Sequence, residues 1–459
     1  MTPRLTNGLP DPMAQTPLRI LFLSGFVPPH APIGAVRPGK LEAWWRADGH
    51  DVRTIAVSPP GAVVDQAAHP SLYYIPYAEP GRWITRIKAV LMPARTAKRA
   101  SPSGAAPGPA PDATRIRKLG LTDLYRQVMQ FPDRHRVWIG EAVRLALSWR
   151  REWKPDLIYS SGPPHSGQVI AARLAARLGA PWIAEMRDLW IDDPYLDRHP
   201  LLKPFHDWYA RMISAHASGF VVVTEEARAG LGRFTRKPIV LSYNGYDPSD
   251  FAGMEDVPPL DPRRLTIIHA GTIYLGRRDP SPLFQAIAAL GPDAAKIRCL
   301  FYSDTHGAVA ALAKRLGVEA SVEIRPAVPR AEILKVERQA DILLECRWID
   351  PAGDGVIPGK LFEYIGARRP ILSLGSPTGE AAAIVRDNKL GLVSNDPEEI
   401  KAMLVESLAV KARLGRLPDQ ASGDDKFRRD TQFRKIDGLI RDVLRTPAAA
   451  RAGVLQRQH

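Results

Sequence analysis

Cysteine is nearly absent: Cys299 and Cys346 are the only two in 459 residues. Two thiols cannot build a disulfide framework or a four-ligand zinc site, and both lie in apolar segments that read as buried strands, so a reduced, cytosolic protein is expected. Long hydrophobic runs are missing too. No stretch approaches the roughly eighteen apolar residues of a spanning helix, Leu18 to Phe26 is too short to cross a bilayer, and because Arg19 interrupts this early apolar stretch no signal peptide is expected in the first 30 residues. The sequence also has no D-x-D triplet and no histidines paired at ligand spacing, which leaves a metal-dependent mechanism without support. No G-x-G-x-x-G follows an apolar strand, which argues against a dinucleotide-dependent dehydrogenase.

Acidic side chains are outnumbered, 49 against 63 Lys and Arg, giving a formal charge of +14. Such an excess favours anionic partners, whether phosphates, lipid headgroups or nucleic acid. Nucleic acid is the least supported of these, because the most basic stretch, residues 82–99, has no aromatic side chain apart from Trp83. A hydrophobic content of 45% with 24% charged residues excludes overall disorder, and the length suggests two or three domains.

What the chain does contain is a regular alternation of strand and helix patterns. Strands are expected at Leu18 to Phe26, Asp51 to Val57, Pro155 to Ser160, Pro181 to Met186 and Gly219 to Thr224, with helices at Lys40 to Ala47 and Gly167 to Leu178 among them. After a cluster of Asn, Gly, Asp and Pro between Asn244 and Pro262 the pattern restarts. Strands follow at Leu265 to Ala270, Ile297 to Tyr302, Val322 to Arg325 and Asp341 to Cys346, separated by helices at Pro282 to Leu290 and Ala308 to Leu316. This predicts an α/β protein with two parallel sheets, each covered by helices. Two segments fall outside the pattern. Residues 100–114 are a low-complexity stretch of Ala, Pro, Ser and Gly, expected as a mobile insert spanning about residues 93–115. Before it, Trp83, Ile84, Ile87, Val90 and Leu91 share one helical face beside several Arg and Lys, so residues 82–99 are a candidate for lying on an anionic membrane or, equally, for docking on their own domain.

Several strand ends carry residues suited to phosphate or polar chemistry. Gly34-Ala35-Val36-Arg37-Pro38-Gly39-Lys40 matches part of a P-loop, but Leu41 replaces the metal-binding hydroxyl residue and Pro38 removes a backbone N–H. Gly34 remains a candidate anion contact before a helix. Ser161-Gly162-Pro163-Pro164-His165 puts His165 past a strand's carboxyl end, where open α/β sheets bind ligands. Arg187 and Asp188 follow another strand, with an ion pair that merely pins a loop as the bland alternative. Leu265 to Ala270 runs into Gly271 and Thr272, whose small size admits a ligand, and Arg277 and Arg278 could clamp a diphosphate. Pro358, Gly359 and Lys360 open a further helix whose N-terminus suits phosphate, with Glu363 one turn inside.

These blocks, in this order, resemble the retaining glycosyltransferases of GT-B fold often called family 4. The resemblance rests on S-G-P-P-H-S-G-Q, E-M-R-D-L-W, Asn244-Gly245-Tyr246-Asp247, G-T-I-Y and P-G-K-L-F-E-Y followed by Arg369-Pro370-Ile371-Leu372, and covers about residues 18–445. It implies two Rossmann-like domains facing across a cleft: residues 1–244 for the acceptor, 245–426 for a nucleotide-sugar donor, and 427–459 as a helix returning to the first domain and a tail. It implies no cofactor and no metal, a UDP- or GDP-linked donor, and a glycan or polyprenyl-linked acceptor in bacterial polysaccharide or glycoconjugate synthesis. By the same resemblance Gly34, Gly271, Thr272, Arg277, Arg278, Gly359, Lys360 and Glu363 bind the donor, Glu363 at its ribose, while His165, Arg187 and Asp188 are the catalytic group facing sugar or acceptor. The enzyme would be of hexosyltransferase type, cytoplasmic or peripheral on the inner face of the plasma membrane. One departure stands out. The family's first signature Glu falls on Gly355, with Asp354 beside it as a substitute. The rival readings are a nucleotide-sugar epimerase of the same fold and a non-catalytic nucleotide-sugar-binding protein.

Overall fold

The computed structural model describes residues 16–29, 33–58, 69–76, 121–191, 199–273, 276–303, 306–420 and 425–446. The candidate membrane segment at 82–99, the insert near 93–115 and the tail after 446 lie outside the described residues.

The first sheet contains β1 (Arg19–Ser24), β2 (Asp51–Ser58), β3 (Leu72–Pro76), β4 (Leu157–Gly162), β5 (Trp182–Met186), β6 (Gly219–Val222) and β7 (Ile239–Leu241) in the spatial order 3-2-1-4-5-6-7. β1 pairs in parallel with β2 and β4, and β4 with β5. Its helices are α1 (Val36–Ala47), α2 (Leu121–Met129), α3 (Trp138–Ser148), α4 (Ser166–Leu178), α5 (Lys203–Ser214) and α6 (Glu225–Gly232). After the exposed Arg19 every residue of β1 is buried, and all of β4 and β5 is buried too. A strand covered on both faces reads as a mostly apolar run, which is why the sequence pattern marks these strands.

The second sheet contains β8 (Leu265–Ala270), β9 (Ile297–Tyr302), β10 (Val322–Arg325), β11 (Ile342–Cys346), β12 (Ile371–Leu374) and β13 (Gly391–Val393), ordered 10-9-8-11-12-13 and parallel throughout. Its helices are α7 (Ser281–Ala288), α8 (His306–Arg315), α9 (Arg330–Gln339), α10 (Gly359–Ala367), α11 (Glu380–Asp387), α12 (Pro397–Leu414) and α13 (Arg429–Arg445). Successive strand residues point to opposite faces. Ile267, Cys299, Phe301 and Leu344 therefore enter one core layer and Ile268, Leu300, Leu343 and Ile371 the other. Cys299 and Cys346 are buried free thiols, and burial pushes the Cys346 thiol up to about 12.

Two compact units result. One comprises Met1–Ile191, Asp197–Phe220 and Asp442–His459, the other Asp192–Leu196 and Val221–Arg441, so the division falls within β6. In each sheet the strand order reverses beside the first strand of the alternation, between β1 and β4 and between β8 and β11. Loops at the carboxyl ends of strands part at such a point, leaving room for a ligand.

Candidate functional site

In the first unit the P-loop-like stretch is mostly helix. α1 begins at Val36, so Pro38, Gly39 and Lys40 lie in its first turns, and Gly34 occupies a short 3-10 turn before it. The expected helix start at Lys40 is thus one turn late, because Pro at an early helical position forfeits no intrahelical hydrogen bond. The Gly34 carbonyl oxygen accepts a hydrogen bond from the Arg187 guanidinium. A second nitrogen of Arg187 donates to the Pro163 carbonyl at 2.8 Å, and its Nε is buried without a hydrogen-bond partner. Arg187 therefore ties the loop after β1 to the loop after β4. Asp188, next to it, is exposed.

His165 sits at the N-terminal end of α4, 4% exposed. Its ring stacks on Trp190, with centroids 5.0 Å apart and planes 2° from parallel. The start of that helix is held by Asp133, whose carboxylate accepts the Ser166 N–H at 2.6 Å and the Ser166 hydroxyl at 3.0 Å. Burial alone would raise the Asp133 carboxyl, yet the hydrogen bonds from His135 and Ser166 hold it below the ordinary carboxylate range. Beneath these loops a charged pair is fully enclosed. Arg37 Nε donates to Glu185 Oε1 at 2.9 Å, with the two side chains 4% and 0% exposed. Tyr159 and Ser161 donate their hydroxyls to the same carboxylate at 3.0 and 2.5 Å.

The second unit gathers cations where β8 ends. Lys360 Nζ donates to the Ala270 carbonyl at 2.6 Å, and Arg278 Nη1 to the Thr272 carbonyl at 3.3 Å. Burial, and then the charge of Arg278, bring the Lys360 ammonium down to about 8. Gly271 has φ +127°, and a Cβ there would lie 2.6 Å from Lys360 Nζ, so only glycine leaves the lysine its place over the strand end. Lys360 belongs to the first turn of α10, which opens at Gly359 after Pro358, with the N–H groups of a helix start beside it. Behind the group lies His269, 1% exposed, with Nδ1 2.9 Å from the Leu344 carbonyl. Burial, and then the Lys360 charge, hold its imidazole well below the ordinary histidine range.

Arg277 stands differently from Arg278: its guanidinium covers the Trp348 ring at 4.7 Å, and its carbonyl accepts the Ile349 N–H at 3.1 Å. Glu363 accepts a 2.8 Å hydrogen bond from Arg330 Nε, and Arg330 in turn reaches Asp250 at 2.8 Å. Glu337, 1% exposed, has both carboxylate oxygens without a hydrogen-bond partner. Burial, and then the negative charge of Glu363, push its carboxyl well above the ordinary range. Arg347, buried at the end of β11, donates from Nε to Ser373 at 3.0 Å, and Ser373 donates to Glu345 at 2.6 Å.

Position 355 has no room for a glutamate. A Cβ on Gly355 would lie 2.2 Å from Glu226 Oε2, so that space already holds a carboxylate from α6. Asp354 is turned elsewhere: it accepts the Thr378 hydroxyl at 2.6 Å. Arg37, Asp133, Glu185, Glu226, Arg330, Glu337 and Arg347 escape the sequence reading. The one available signal was a charged residue inside an apolar strand run, as at Glu185. Among the described residues no three His, Cys, Asp or Glu side chains converge as a metal ion requires.

The structure thus brings Gly34, His165 and Arg187 together in one unit and Gly271, Thr272, Arg278, Gly359 and Lys360 in the other. No curated protein sequence matches the chain. Residues 34–246 match the family model of the glycosyl transferase 4-like domain. Solved structures match over nearly the full length. A glycosyltransferase from Rickettsia africae ESF-5 is 12% identical with a TM-score of 0.61, covering 94% of this chain and 100% of its own. Anabaena HepE in complex with UDP is 13% identical at 0.59, covering 93% and 100%. Sucrose-phosphate synthase from Thermosynechococcus elongatus is 14% identical at 0.56, covering 93% and 99%. Residues 34–246 are thus similar to the glycosyl transferase 4-like domain, and the chain has the GT-B fold, with two Rossmann-like domains.

Proposed function

We propose that the protein is a retaining glycosyltransferase that moves a sugar from a UDP- or GDP-linked donor to a glycan or polyprenyl-linked acceptor in bacterial polysaccharide or glycoconjugate synthesis. The observation that carries this reading is the pairing of Lys360 and Arg278 around Gly271, at the end of β8 and the start of α10. Departure of the sugar leaves a nucleoside diphosphate, and its growing negative charge is what fixed cations and helix N–H groups stabilise. The protein's own side chains supply that charge, so no metal is needed. Glu363, oriented by Arg330, accepts hydrogen bonds from the ribose hydroxyls. Attack comes from the face that the diphosphate leaves, and a diphosphate oxygen takes the acceptor's proton. His165, Arg187 and Asp188 serve the acceptor, His165 as a wall fixed by Trp190 and Arg187 as the clamp on the loops around it. The UDP complex of HepE, a protein of the same fold, supports a uridine donor.

Thermal denaturation with UDP, GDP, ADP and CMP, each with and without EDTA, tests the donor site. One nucleoside diphosphate, UDP first, is expected to stabilise the protein by about 2.7 kcal/mol at 100 times its dissociation constant, unchanged by EDTA. No shift with any of the four removes the donor reading and leaves a non-catalytic protein. Release of UDP from a UDP-sugar without any acceptor marks an epimerase instead.

Gly271→Ala probes the lysine's seat. The positive φ and the 2.6 Å approach to Lys360 Nζ predict a loss of about 1–3 kcal/mol in stability together with loss of the UDP-induced shift. An unchanged shift shows that Lys360 does not hold phosphate.

A further inference from the structure

α5 is apolar on two faces. His206, Ala210 and Ile213 point inward and are buried. Leu201, just before the helix, and Phe205, Trp208 and Met212 recur at spacings of four, three and four, which align them along one side. All four are exposed, at 75%, 47%, 56% and 38%. The stripe does not end there. Tyr125, Val128 and Met129 of α2 are exposed as well, and α2 abuts α5: the Gln127 side chain accepts the His199 N–H at 2.8 Å, and Phe131 packs 5.0 Å from Phe205. A soluble surface seldom gathers this much aromatic and aliphatic area in one place.

The rim of the patch is basic. Among the described residues Arg126 of α2 and Arg211 of α5 are exposed beside it, and Arg134 and Arg136 are exposed in the segment after α2; Lys203 is paired with Asp207 at 2.7 Å, and Asp133 is engaged with Ser166. Trp, Phe and Tyr beside Arg and Lys suit the boundary between headgroups and acyl chains, where rings bury their apolar bodies and cations meet lipid phosphates. We infer that this face of the first unit, built on α2 and α5, docks on an anionic lipid bilayer with Phe205 and Trp208 as its anchors. Among the described residues no helix is long and apolar enough to cross a membrane. The docking face also connects to the candidate acceptor residues. Tyr209 of α5 lies 5.9 Å from Trp190, the ring on which His165 stacks, so the bilayer would sit a few aromatic layers from His165. The inference does not depend on the donor assignment.

Flotation of the purified full chain with vesicles tests it, comparing phosphatidylcholine alone with phosphatidylcholine containing phosphatidylglycerol. The wild type is expected to float with the phosphatidylglycerol vesicles and to be released by salt. Phe205→Ser with Trp208→Ser should lower the bound fraction by at least about tenfold, and Lys203→Glu with Arg211→Glu should abolish the preference for anionic lipid. Both double variants should keep the wild-type melting temperature, which separates lost docking from lost folding. The inference is overturned if the wild type ignores phosphatidylglycerol, if the serine variant binds as well as the wild type, or if the wild type is a dimer in solution that the serine variant converts to monomer, since the face would then belong to a second copy of the chain.

Discussion

Lys360→Met is expected to lower kcat by about 10²–10³-fold and to remove the stabilisation by nucleoside diphosphate, while leaving the fold as stable as the wild type or more so. The last part follows from the lysine's situation. Its ammonium titrates near 8 instead of 10.5 because burial and Arg278 oppose its charge, and exchanging such a group for a packed apolar chain relieves that cost. A fall in both activity and melting temperature would instead mean that the lysine is structural. The same ammonium gives a pH signature. Only its protonated form attracts a diphosphate, so UDP affinity should fall as pH rises through about 8, roughly tenfold between pH 7 and pH 9 if the charged form alone binds. Stability without ligand runs the other way. Between about 8 and 10.5 the unfolded chain holds the proton that the folded chain has released, so the protein gains stability with rising pH across that window. In Lys360→Met both trends should vanish, which titration of UDP by calorimetry at several pH values would read directly.

Arg37→Met should be the most destabilising single change in the first unit. Glu185 is 0% exposed and Arg37 is its cationic partner; without it the carboxylate keeps hydrogen bonds from Tyr159 and Ser161 and the weaker attraction of the Arg187 charge. Removing one member of a buried pair costs about 3–5 kcal/mol, roughly 6–20 °C in melting temperature for a unit of this size. Arg37→Met combined with Glu185→Gln should recover much of the loss, because the uncompensated charge is gone, while the Gln amide oxygen accepts from one hydroxyl and its NH2 donates to the other. Additive losses in the double variant would show that the two residues act separately. The pH dependence has a definite sign as well. Burial alone would raise the Glu185 carboxyl, but the charge of Arg37 and the Ser161 hydrogen bond bring it below 4.5. Its contribution is therefore complete above about pH 4.5 and is lost as pH falls through the lower, folded value.

The sequence by itself determined the architecture. β1, β8, β9 and β11 are almost wholly buried strands, so their largely apolar runs could be read without knowing their neighbours. The strand ends were legible for the same reason: Gly271, His165 and Arg187 follow directly from runs whose limits the pattern fixed. Short strands were not legible. β3, β7 and β13 have only three to five residues, few of them fully buried, and such segments become strands by pairing with a sheet already formed. Tertiary structure alone decided which side chains meet. Arg330 reaches Glu363 from 33 positions away, and Arg37 reaches Glu185 from 148. The Glu226 carboxylate, carried on α6, fills the space beside Gly355. No local pattern encodes these meetings, because helical and strand periodicity order residues along one element, while contacts between elements are set by packing. The outward stripe of α5 obeys the same division: its spacing is written in the sequence, but its exposure was decided only when the opposite face was chosen for the core.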